Sequence, residues 1–185
     1  VRLVDQMPRL RPDPDQFAFI TLEGARHVVR EKLAFDNCFP TAIRLRNTFD
    51  TTIQSCVFTR FSYAIAAGDH QQPDETERII VDDCRAIQDP NHDLWEGRVS
   101  WHEVKNKAIA QRDMRQRNGV FFRASNVVGD ILIHKTNIAH GFNGIHLWNP
   151  NSSPRYNQNV FITRCRFAYI RDNAIEPEWR VDNLW

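Results

Sequence analysis

Asn159-Val160-Phe161-Ile162-Thr163-Arg164-Cys165-Arg166-Phe167, followed after a polar break by Asn173-Ala174-Ile175, is the stretch whose reading decides the fold. Apolar residues alternate with polar ones over short distances, and Asn, Asp, Gly or Ser bound each segment. Period-two alternation between such turn residues is the pattern of a half-buried strand. The same order recurs upstream. Written apolar-x-x-Cys-x-apolar, it reads Ile53-Gln54-Ser55-Cys56-Val57-Phe58 and Val81-Asp82-Asp83-Cys84-Arg85-Ala86. Ile133-His134-Lys135-Thr136-Asn137-Ile138 carries Thr in place of Cys, and Phe35-Asp36-Asn37-Cys38 is a weaker copy with Pro40 at the second apolar position.

A second pattern, a small residue followed by apolar-x-apolar, comes after each copy. It reads Ala42-Ile43-Arg44-Leu45, Ala64-Ile65-Ala66-Ala67, Gly119-Val120-Phe121-Phe122, Gly144-Ile145-His146-Leu147 and Ala174-Ile175-Glu176-Pro177, with Phe19-Ile20-Thr21-Leu22 before the series. From Ile20 through Ile43, Ile65, Val120 and Ile145 to Ile175 the intervals are 23, 22, 55, 25 and 30 residues. A repeat in the twenties with several strands per period is the mark of a solenoid, whose coils bury their apolar faces only by stacking.

On these motifs the chain resembles the right-handed parallel β-helix, the pectate-lyase-like superfamily. The resemblance covers residues 17–185. It implies an all-β, right-handed parallel β-helix of about six coils, preceded by an extended segment over residues 1–16. The long third interval holds an insertion at residues 88–117. There Ser100-Trp101-His102-Glu103 is a capping box and Trp101, Val104 and Ala108 share a helical face, so a short helix is expected. It either covers coil surface or acts as a lid over a groove. Because the chain begins at Val1 and stops within Val181-Asp182-Asn183-Leu184-Trp185, it reads as a piece of a longer protein, truncated at its C-terminal end.

Four Cys in 185 residues are too few for a disulfide scaffold, and none has zinc-finger spacing. Cys38, Cys56, Cys84 and Cys165 read as a column of small, reduced core side chains rather than redox or metal thiols. Twelve Phe and a 42% hydrophobic content argue for a packed core and against disorder. A formal charge of +1 provides no global field to gather nucleic acid, and no apolar run is long enough to cross a bilayer.

Alternation turns the second pattern into a surface prediction, since inward Ile145 and Leu147 leave His146 and Trp148 facing outward. Stacking then forms two columns. The first is Thr21, Arg44, Ala66, Phe121, His146 and Glu176; the second is Glu23, Arg46, Gly68, Arg123, Trp148 and Glu178. The resemblance directs attention to this face as a substrate groove and implies a polysaccharide or oligosaccharide partner outside the cytoplasm, secreted or periplasmic. Candidate catalytic residues are His146, Arg123, Glu176 and Glu178. Trp148, Arg44, Arg46 and Phe121 are candidate substrate-binding residues, through an apolar platform and paired hydrogen bonds to carboxylates.

Two reactions can be built from these groups. A uronate lyase needs a charge to neutralise the substrate carboxylate, supplied by Arg123 or a cation on Glu176 and Glu178, and a base, His146. The resemblance admits Ca2+, although two Glu make only a partial oxygen site. A glycoside hydrolase needs two flanking carboxyl groups, for which Glu176 and Glu178 qualify by position. A non-catalytic carbohydrate-binding or adhesion β-helix, or a structural segment with solvating charges, would use the same surface without a base. His134 and His140 occupy other strand positions than His146, which argues against a three-His metal site. No nucleotide-binding glycine motif or nucleophile elbow is present.

Overall fold

The computed structural model describes residues 2–4, 18–69, 71–88, 119–149, 154 and 156–185. The expected helix and nearly all of the 88–117 insertion lie outside the described residues. In chain order the strands are β1 (Arg2–Val4), β2 (Ile20–Glu23), β3 (Arg26–Glu31), β4 (Ala34–Arg46), β5 (Phe49–Gln54), β6 (Val57–Gly68), β7 (Glu77–Asp82) and β8 (Arg85–Ile87). They continue as β9 (Val120–Ser125), β10 (Gly129–His134), β11 (Asn137–Ala139), β12 (Ile145–Trp148), β13 (Asn157–Thr163), β14 (Arg166–Ala168), β15 (Ile175–Glu178) and β16 (Val181–Leu184). Among the described residues the protein is all-β with no helix, and every strand pairing is parallel.

The strands form two sheets. One has six strands in the order β3-β5-β7-β10-β13-β16, so each strand pairs with its counterpart one repeat later. Its inward positions are the expected apolar ones: Ile53, Val81 and Ile133 are aligned by register and buried. The other sheet has ten strands. Here β4 and β6 are long, and later repeats divide the same path in two. The start of β6 pairs with β8 and its end with β9. The 88–117 insertion therefore falls between two strands that are one continuous strand in the preceding repeat. Between the sheets lies a core of Ile, Leu, Val and Phe, including the Phe35 and Phe58 rings stacked at 5.0 Å.

The turn from one sheet to the other carries the Cys ladder. Lys32, Ser55, Asp83, Lys135 and Arg164 each adopt the left-handed conformation, and the next residues form the column Leu33, Cys56, Cys84, Thr136 and Cys165. Each of the last four donates to the carbonyl two residues back: Cys56 to Gln54 at 3.3 Å, Cys84 to Asp82 at 3.3 Å, Thr136 to His134 at 3.0 Å and Cys165 to Thr163 at 3.4 Å. A hydroxyl and a thiol serve this bond alike, which explains Thr in a Cys column. The weak fifth copy is corrected. Leu33, not Cys38, takes that step; Cys38 pairs with Phe61 inside β4. None of the four Cys is in a disulfide. The neighbouring Cys56 thiol and then burial push the Cys84 thiol up, and burial pushes Cys165 up.

A second left-handed column was not foreseen. His27, Asp50, Arg78, Asp130, Asn159 and Asn183, one in each strand of the six-stranded sheet, have φ between 52° and 58°. His, Asp and Asn tolerate this conformation better than most side chains. No helix among the described residues is long and apolar enough to cross a membrane.

Candidate functional site

Register positions the site on β9, β12 and β15. Arg123, His146 and Glu176 are directly aligned, and Ser125, Trp148 and Glu178 form the next level. Toward the chain start the first column continues through Ala66, Arg44 and Thr21. The expected columns are thus corrected at β9 by two residues: Phe122, not Val120, aligns with Ile65 and Ile145. Val120 and Phe122 share a face and are both apolar, so alternation alone does not tell which of them is level with Ile145. The shift brings Arg123 level with His146, and Phe121 is wholly buried, its ring 6.1 Å from that of Phe58. Phe121 therefore offers no exposed ring to a substrate.

His146 stands between the two carboxylates. Its Nε2 is 3.0 Å from Glu178 Oε2 and 3.6 Å from Glu176 Oε2. Both Glu project from one short strand because they are two residues apart, and Pro177 between them fixes the backbone φ. Asn143, only 2% exposed, donates from Nδ2 to Glu176 Oε2. Its own Oδ1 accepts from the Asn173 backbone at 3.1 Å, so the amide is oriented before it reaches the Glu.

Arg123 is 9% exposed and lies between rings, its guanidinium carbon 5.6 Å from the centroids of both Tyr63 and Trp148. Its Nε donates to Ser125 Oγ at 3.1 Å. Stacking on two aromatic faces and a hydrogen bond hold this cation, whose residue is in register with His146 on the neighbouring strand. Trp148 is consequently not a bare platform: Arg123 stacks against it.

Arg44 and Arg46, the expected grip on carboxylates, are largely enclosed by the protein itself. Arg46 is engaged by Asp69 at 2.9 Å and Asp74 at 3.7 Å, and Arg44 is 7% exposed. Beyond β12 the turn rests on buried amides. Asn149 Oδ1 accepts from the Asn126 backbone at 2.5 Å, and Asn126 Nδ2 donates to the Asp69 carbonyl at 2.6 Å. His134 pairs with Asp82 at 3.0 Å and His140 stacks on Tyr169, so each has a partner of its own. A shallow cavity of about 270 Å³ on the six-stranded sheet is lined in part by Asp50, Arg78, Asp130, Asn159 and Phe161. Its polar groups are joined in pairs, Arg78 with Asp50 at 3.4 Å and Asn159 with Asp130 at 2.8 Å.

Sequence reasoning missed Tyr63 and Asn143. Tyr63 lies outside the repeated apolar-x-apolar triplet. Asn143 had a signal, since Asn143-Gly144-Ile145 parallels Asn173-Ala174-Ile175. The chemistry available is a carboxylate-oriented imidazole beside a fixed cation, and a cluster of one nitrogen and two carboxylate donors within 4.8 Å of one another. That set does not fit Ca2+, which takes six to eight oxygens. No protein-family model, no curated protein and no solved structure matches the chain.

Proposed function

We propose that the two parallel sheets are faces of a right-handed parallel β-helix, and that its face at β9, β12 and β15 cleaves a uronate-containing polysaccharide by elimination. The observation that carries the reading is His146, held at 3.0 Å by Glu178 with Arg123 level on the neighbouring strand. When Nε2 carries the ring proton it donates to Glu178, and Nδ1 is the accepting nitrogen. The proton on the carbon bearing the substrate carboxylate passes to His146. Its electron pair becomes a carbon–carbon double bond, the glycosidic bond breaks, and the leaving oxygen takes a proton from water. Arg123 supplies positive charge beside the base, where the carboxylate must be neutralised. A polymer of this class suits a secreted or periplasmic protein, which is part of the same proposal.

Hydrolysis is less well supported. Glu176 and Glu178 converge on one imidazole from one strand, whereas a hydrolase needs carboxyl groups flanking the scissile bond. A non-catalytic carbohydrate-binding face is the second reading, favoured by the Tyr63–Arg123–Trp148 stack. His146→Gln separates the two. Elimination predicts product formation lower by about 100-fold or more with polymer binding retained; product formation equal to the wild type removes His146 as the base.

A further inference from the structure

We propose that His146, Glu176 and Glu178 form a binding site for a first-row divalent cation, with Zn2+ the best-suited probe. One donor atom from each residue falls within 4.8 Å of the others. The two separations from His146 Nε2, 3.0 and 3.6 Å, lie within a few tenths of an ångström of the roughly 3.3–3.6 Å between neighbouring ligands of a tetrahedral ion with bonds of about 2.0–2.2 Å. The ligands come from β12 and β15, which are hydrogen-bonded in register, so the backbone sets their spacing. Pro177 stiffens the segment between the two Glu. Outside the donor set, the buried Asn143 amide orients Glu176, as outer-shell partners do in metal sites. One imidazole nitrogen with two carboxylates suits Zn2+ or Mn2+ rather than Ca2+, and three protein ligands leave positions for water or a substrate oxygen.

Occupancy changes the charge of the face. Two carboxylates and the Arg123 guanidinium sum to one negative charge; a dication makes the sum one positive charge. An ion on Nε2 also leaves the ring proton on Nδ1, so His146 no longer accepts one. A loaded site therefore holds the acidic polymer more tightly and cleaves it more slowly. This consequence rests on the elimination reading, whereas the metal site rests on donor geometry alone.

The test is calorimetric titration of chelator-treated protein with Zn2+ and, separately, Ca2+. The proposal expects one Zn2+ site per chain that weakens at least tenfold in both His146→Gln and Glu178→Gln, with circular dichroism unchanged in each. His134→Gln, which removes the His134–Asp82 pair, retains that site. Absence of Zn2+ binding, binding unchanged in the two site variants, or equal affinity for Ca2+ overturns it. Cleavage unaffected by saturating Zn2+ overturns His146 as the base and leaves the metal site standing. Loss of the site in the variants with no cleavage of any uronate polymer by the wild type separates the two conclusions in the same way.

Discussion

Cys84 and Thr136 occupy successive steps of one column and make the same bond, a side-chain hydrogen to the carbonyl two residues back. The ladder therefore selects a small donor, not sulfur chemistry. Cys84→Thr should shift the unfolding free energy by less than about 1.5 kcal/mol, while Cys84→Leu, which overfills the turn and leaves no donor, should cost about 1–3 kcal/mol. Urea denaturation measures both, and equal effects would contradict the ladder. Accessibility makes a second prediction. Cys38, Cys56 and Cys84 are buried and Cys165 only partly so, its thiol pushed up by burial. Upward displacement means less thiolate at a given pH, so Cys165 labelling should be slow at neutral pH and accelerate with rising pH; it still precedes Cys56, whose thiol the Cys84 hydrogen bond lowers to about 7 but which is wholly buried. Rapid native-state labelling of Cys56 or Cys84 would contradict the packing. At this scale Cys56, Cys84 and Cys165 were legible as a set. Cys38 was not, because a Cys beside an apolar residue looks the same whether it lies in the turn column or within a strand.

Strands differ in how well their sequences declared themselves. β12 alternates cleanly as Ile145-His146-Leu147-Trp148, and its outward residues were assigned as they stand. β9 begins Val120-Phe121-Phe122, and a continuous apolar run leaves a two-residue ambiguity that only pairing with β6 and β12 resolves. The left-handed column in the six-stranded sheet was hidden for another reason: Arg78 occupies it as well as Asp and Asn, so no single residue type marks it. Gly68 at the end of β6 illustrates a conformational requirement. Its φ is +81°, and a Cβ there would stand 2.0 Å from the Ser125 carbonyl oxygen, on the residue that accepts the Arg123 hydrogen bond. Gly68→Ala should destabilise the protein by about 3 kcal/mol or more. A thermal unfolding midpoint equal to the wild type would refute the close approach of β6 and β9. Trp148→Ala, by contrast, should leave stability little changed and weaken polymer binding, since it removes one face of the Arg123 stack. Unchanged binding, measured by calorimetry, would dissociate that stack from recognition.

Across the whole molecule, repetition made the architecture legible. A period repeated along the chain predicts parallel pairing between equivalents, and both sheets pair in that way. Stacking also converted distant residues into neighbours, so His146, Glu176 and Glu178 could be brought together from their place in the repeat alone. Tyr63 and Asn143 escaped because their contributions depend on side-chain reach across strands rather than on repeat position. Near-neutral overall charge concealed the local arrangement, in which a cation enclosed by rings stands beside a His held by two carboxylates. The proposed chemistry of this face is elimination across a uronate linkage. Incubating the protein with uronate-containing polymers while following ultraviolet absorbance of unsaturated ends alongside reducing ends tests it most directly. Elimination predicts that both signals rise together and that both collapse in His146→Gln; reducing ends that accumulate without unsaturation would contradict it.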